Sequence, residues 1–140
     1  MKLRLILFLL AFPALLMTDL HSQATHKRET VKKNKATSRI LYGTASFYAD
    51  KFNGRKTAND EIFSQKKMTA ACNVLPMGTW IKVTNLKNKK SVIVRTNDRL
   101  HPRMKRIVDL SRLAAQKLGY ISNGLARVKV EVLGRKKPSV

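Results

Sequence analysis

The apolar positions along this chain fall into short blocks, most of them with the two-residue period of a strand. Residues 125–133, LARVKVEVL, alternate throughout, with Ala126, Val128, Val130 and Val132 on one face and Arg127, Lys129 and Glu131 on the other. TWIKVTNL (79–86) and SVIVRTND (91–98) are β-branched runs separated by KNKK, a connection that suits a hairpin. YGTASFYA (42–49) and RIVDL (106–110) read as further short strands. One helix is expected next. Asp109 or Ser111 can cap it, Leu110, Leu113, Ala114 and Leu118 form its apolar stripe, and Gly119 ends it. Many short strands with one short helix predict a mainly β fold closed into a small barrel.

The two ends of the chain follow other rules. Lys2 and Arg4 precede an apolar run from Leu5 to Met17, and Ser22-Gln23-Ala24 places small residues where a signal peptidase cuts. That run is shorter than the roughly 20 residues of a spanning helix, so a cleaved signal peptide at 1–24 is expected rather than a retained anchor. No cysteine near Ala24 offers a lipid-attachment site. Residues 25–40 and 134–140 are basic and without periodicity, a leader and a tail around a core at 41–133. At 140 residues there is room for one domain.

Charge changes the picture of what the barrel meets. The chain carries 29 Lys plus Arg against 8 Asp plus Glu, a formal +21. Loss of residues 1–24 removes Lys2, Arg4 and Asp19 and leaves +20. Such a chain seeks polyanions, and behind a signal peptide these belong to the cell envelope: an exported protein, periplasmic or secreted. Nucleic acid is not expected, because the core lacks the aromatic and basic interleaving of a single-strand platform. The single cysteine excludes a disulfide framework and a cysteine-based zinc site. His26 and His101 share no ligand spacing with each other or with Cys72, so neither metal nor cofactor is expected.

Candidate chemistry rests on six carboxylates between leader and tail: Asp50, Asp60, Glu61, Asp98, Asp109 and Glu131. Glu131 lies on the polar face of a strand and reads as solvated; Asp109 reads as a cap. Asp98 ends a strand within RTNDR, where it serves either as a general acid or as an Asx-turn residue. Asn97 and Arg99 beside it can bond a sugar or an anion. Glu61 lies in the polar loop GRKTANDEIFS with Gly54, Thr57 and Asn59. Two carboxylates in one cleft can have their pKa values pushed apart, one staying protonated as the acid. Phe47, Tyr48 and Trp80 are possible sugar-stacking surfaces, although Trp80 fits a packed strand residue equally well.

The phrases ASFY (45–48), GRKTANDEIF (54–63), TAACNVLPMGT (69–79), VTNLKNKKSVIVRTNDR (83–99) and RIVDLSRLAA (106–115) together resemble the rare lipoprotein A (RlpA)-like family. The resemblance implies a six-stranded double-psi β-barrel with one or two short helices, a fold shared with expansin-like wall-loosening proteins. It also implies an endolytic peptidoglycan lytic transglycosylase, cleaving between N-acetylmuramic acid and N-acetylglucosamine to leave 1,6-anhydro-muramyl ends. Asp98 and Glu61 match the family's acidic positions, and Cys72 stands where the family places a histidine. Tyr48, Thr57, Asn59, Asn97 and Arg99 are the expected substrate contacts, peptidoglycan strands the expected partner, and a monomer the expected state. Cys72 reads as packing residue, polar assistant or nucleophile, in that order. Phe47 replaces a tryptophan, NDRLHP carries one residue more than the family's NDRGP, and the lipid-attachment cysteine and C-terminal glycan-binding domain of longer members are absent from this sequence. A non-cutting, expansin-like glycan binder is the alternative.

Overall fold

The computed structural model describes residues 38–139, so the expected signal peptide and most of the leader lie outside the described residues. The alternation of the last strand is what closes the barrel. Strand β6 (Ala126–Gly134) pairs antiparallel with β1 (Ile40–Phe47) on one side and with β3 (Trp80–Asn85) on the other. Its Val128 and Val130 are fully buried. The hairpin expected around KNKK is formed by β3 and β4 (Ser91–Asp98), with Ile81 opposite Val94 and Val83 opposite Val92. Those four side chains also point into the core, each contributing about 1.5–3 kcal/mol by leaving water.

The sheet closes in the order β1, β5, β2, β4, β3, β6, where β2 is Thr69–Ala71 and β5 is Val108–Leu110. Strands β1 and β5 are parallel, and so are β2 and β4. Parallel neighbours need crossover connections, so long loops must run across the barrel. Register sets Ser46, Asp109, Ala71 and Asp98 side by side across β1, β5, β2 and β4.

Several expectations are corrected. Strand β2 is not apparent in the sequence, because a three-residue strand has no periodicity to show. The helix, α1, spans Arg112–Leu118 and is capped by Ser111, whose Oγ accepts from Ala114 N at 3.3 Å. Asp109 does not cap it; it is ion-paired with Arg106 at 2.8 Å. Leu110 belongs to β5, and the helix buries Ala114, Ala115 and Leu118 instead. Gly119 ends α1 in the left-handed conformation, at φ 75°. Glu131 is not simply solvated but pairs with Lys129 at 3.3 Å.

Gly43 in β1 lies under the side chain of Ile107, and a Cβ there would stand 2.5 Å from Ile107 Cγ2. Isoleucine is stiff about χ1 and cannot easily swing away. Gly43→Ala is expected to cost about 1–3 kcal/mol in urea unfolding. An unchanged midpoint would show that Ile107 has room to move.

Candidate active site

After β1 the chain makes a 3-10 turn (Asp50–Phe52) and then a narrow arm that folds back on itself. Gly54 N donates to Phe63 O, Phe63 N to Arg55 O and Thr57 N to Glu61 O, at 2.7 to 2.9 Å. The tip turns at Asn59-Asp60, where Asp60 adopts φ 66°, a left-handed conformation that Asn and Asp tolerate. The arm tip reaches β4: Ala58 N donates to Asp98 Oδ1 at 2.9 Å.

The strand pairing beside Asp98 is irregular. Ala70 is opposite Thr96 but Ala71 is opposite Asp98, so Asn97 is skipped. Such a bulge leaves the extra residue without a partner in the neighbouring strand. Asn97 is buried, and Asp98 lines an open cleft of about 580 Å³. The carboxylate of Asp98 receives Ala58 N and Arg99 N on Oδ1, the latter at 2.8 Å, and the Tyr48 hydroxyl on Oδ2 at 2.6 Å. The Tyr48 ring is held against Phe63 and Phe52, with centroids 4.2 and 5.9 Å away. Burial, and then the bond to Asp98, push the phenol well above its ordinary pKa, so it stays a donor.

In a chain of formal charge +21, Asp98 is in no ion pair among the described residues. Arg99, its neighbour, directs its guanidinium elsewhere, onto the carbonyls of Cys72 and Leu75. It is therefore occupied in holding the 72–75 loop. Aromatic rings of Phe47, Tyr48, Phe52 and Phe63 line the cleft, together with the cations Arg55, Lys56 and Arg106. Arg106 is neutralised by Asp109, whereas Arg55 and Lys56 have no carboxylate partner among the described residues. Periodicity gave no hint of Arg55 and Lys56, whose loop has none, and it put Arg106 in a strand that in fact begins at Val108.

Glu61 belongs to a different cluster. It accepts from Arg95 at 2.5 Å, from Asn59 at 2.9 Å and from Asn97 at 3.1 Å, and it is not among the residues lining the cleft. Partial burial would raise its pKa, but the bonds from Arg95, Asn97 and Asn59 outweigh it and hold the carboxyl below its ordinary range. Glu61 and Asp98 are linked through the arm and through the adjacent Asn97, not across one open space. Thr57 is buried and donates to Asn59 Oδ1 at 2.5 Å, a bond that shapes the arm tip. Of the expected substrate contacts, Tyr48 and Arg99 line the cleft and Thr57, Asn59 and Asn97 do not.

Cys72, the residue after Ala71, is buried, with its N–H on Asp98 O at 3.0 Å. It is not a lining residue of the cleft. Desolvation pushes the thiol pKa up, partly offset by hydrogen bonds from the backbone of Val74 and Leu75 and by the charge of Arg99. No three or more His, Cys, Asp or Glu residues group as metal ligands among the described residues.

Comparison with known proteins follows this geometry. The family described as lytic transglycolase matches residues 40–130. This chain belongs to that family. Its barrel is the RlpA-like double-psi β-barrel that the resemblance implies. The chain is 52% identical over 98 residues to the endolytic peptidoglycan transglycosylase RlpA of Pseudomonas aeruginosa, covering 70% of this chain and 29% of that protein. To the protein of the same name from Haemophilus influenzae it is 46% identical over 104 residues, covering 74% and 36%. The chain thus spans about a third of the length of these curated relatives. The expansin of Clavibacter michiganensis superimposes with a TM-score of 0.54 at 20% identity, over 73% of this chain and 53% of that one, a likeness of fold.

Two measurements check the site. Cys72 should fail to react with an aromatic disulfide reagent at neutral pH in the native protein and react fully in urea; rapid native labelling would contradict its burial. Glu61→Gln should destabilise the protein at neutral pH. Because the folded pKa is lowered, this contribution is present above the unfolded carboxylate pKa of about 4.3 and fades as pH falls through the folded value. Denaturant midpoints of wild type and variant should therefore converge in acid; a constant gap would contradict the ion-pair account.

Proposed function

We propose that this protein is an exported, endolytic peptidoglycan lytic transglycosylase of the cell envelope, with Asp98 as its acid and base. The observation that carries this reading is the isolation of Asp98: a carboxylate facing a sugar-sized cleft, oriented by three hydrogen bonds and left unpaired in a strongly cationic protein. A carboxylate locked onto an arginine is occupied by that partner, whereas Asp98 faces the cleft, where a substrate oxygen can come within hydrogen-bond reach. The belonging of residues 40–130 to the lytic transglycolase family agrees with it.

In the proposed reaction Asp98 gives its proton to the oxygen between N-acetylmuramic acid and N-acetylglucosamine. The bond from the muramyl C1 to that oxygen breaks, and the oxygen leaves as a hydroxyl. Asp98, now a base, takes the proton of the muramyl C6 hydroxyl, whose oxygen closes on C1. The product is a 1,6-anhydro sugar, no water is consumed, and Asp98 ends as it began. The Oδ2 atom carries the proton in each step, since Oδ1 holds two N–H donors. The Tyr48 hydroxyl can accept as well as donate and so accommodates both states of Oδ2. Glu61 stays ionised in this scheme and positions the arm and Asn97. Arg55 and Lys56 would meet the carboxylates of the glycan.

Burial of a neutral thiol at Cys72 favours a second reading, a barrel that grips wall glycan without cutting it. The two separate in a digest of purified sacculi read by mass spectrometry. Wild type should release anhydromuropeptides, and Asp98→Asn should lose about a hundredfold or more of that activity while keeping its fold. Full activity in Asp98→Asn would overturn the assignment. Product from Cys72→His alone, with wild type binding but silent, would establish the binder.

A further inference from the structure

On the outer face of the barrel, register aligns three side chains across β3, β4 and β2: Trp80 is opposite Arg95, and Arg95 is opposite Thr69. They belong to the face away from the core, because Ile81, Val94 and Ala70 beside them in sequence are the core residues. Together with Lys67, Met68, Ile93, Lys137 and Pro138 they line a depression of about 350 Å³, which shares no residue with the cleft at Asp98. Trp80 is thus neither a packed core residue nor part of that cleft.

Three observations point to a ligand. The lining combines the indole of Trp80 with the apolar side chains of Met68 and Ile93, the kind of surface on which a pyranose ring stacks. The rim holds three cations. Arg95 is fixed by Glu61 at 2.5 Å, while Lys67 and Lys137 have no carboxylate partner among the described residues. At the base, Thr69 is 5% exposed, and its Oγ1 is a buried hydroxyl with no hydrogen-bond partner. An orphaned polar group of this kind costs about 1–3 kcal/mol, which a ligand oxygen recovers when the Thr69 side chain turns its hydroxyl to the depression.

We propose that this depression is a second saccharide site, specific for a glycan that carries carboxylates. The ring stacks on Trp80, a sugar hydroxyl or carbonyl meets Thr69 Oγ1, and a carboxylate lies between Lys67, Arg95 and Lys137. The site would hold a strand on the flank of the barrel while another segment occupies the cleft. That the strand is peptidoglycan rests on the function proposed above; the chemistry of the site does not.

Trp80 is the only tryptophan of the chain, so its fluorescence reports this site alone. The titration uses full-length mature Asp98→Asn, so that nothing is cut and binding is scored apart from catalysis. A peptide-free tetrasaccharide of alternating N-acetylglucosamine and N-acetylmuramic acid should change the Trp80 emission saturably. Chitotetraose, the neutral counterpart, should bind at least about fivefold more weakly, and Lys67→Ala/Lys137→Ala should weaken the acidic ligand by a similar factor. No saturable change, equal affinity for chitotetraose, or an unaffected double variant would each overturn the proposal. So would an equal response to a single-stranded oligonucleotide, which would make the face a general polyanion surface. Thr69→Val separates the hydroxyl from the charges: weaker binding with a raised urea midpoint is expected, because the unpaired hydroxyl is removed, and unchanged binding would remove Thr69 from the site.

Discussion

The pairing of β4 with β2 is the constraint on which the site depends. The two strands run parallel, and between Ala70 and Ala71 the register moves by one extra residue of β4, leaving Asn97 unopposed. Along β4 the alternation is nevertheless kept: Arg95 and Asn97 both reach Glu61, and Asp98 falls on the side of Val92, Val94 and Thr96. Asn97 thus joins Arg95 on Glu61, while Asp98 reaches the cleft. The arm at 54–63 then locks the result, since Ala58 N on Asp98 and Asn59 N on Asn97 O bind its tip to the bulged segment. Neighbouring positions of one strand thus put the two carboxylates into different environments.

The distribution of carboxylates follows from the same geometry. Asp50, Glu61, Asp109 and Glu131 each have a cationic partner, as abundant lysine and arginine would lead one to expect. Asp98 is the exception at the cleft, and it stays so because Arg99 is drawn away by the carbonyls of the 72–75 loop. Cys72 contributes to that loop through its backbone: its N–H bonds Asp98 O and its carbonyl receives Arg99. A buried, neutral thiol fits there as a small apolar filler. Its side chain need not touch the cleft for its main chain to hold two residues beside it.

The surplus positive charge is not evenly meaningful. Arg95, Arg106 and Arg112 are pinned by carboxylates and act as struts. Lysines such as Lys67 and Lys137 are uncompensated and border a depression with an aromatic wall. Net charge acts at long range on any anionic partner, while the arrangement of charges and rings sets what a surface can recognise.

Much of the frame was legible in the sequence alone. The alternation of β6 and the β3–β4 hairpin followed from period and turn length, because each strand carries its own burial pattern. The helix stop at Gly119 was legible for the same local reason. Tertiary structure decided the rest. Strand β2 is too short to carry a pattern and exists only because β4 and β5 flank it. Ser111 rather than Asp109 caps α1 because Asp109 is held in β5 and paired with Arg106. That Asp98 meets Tyr48, fifty positions away, and that Glu61 meets Arg95 instead, depended on register and on one skipped residue. Local propensity determines which segments extend; only closure of the barrel determines which side chains then share a space.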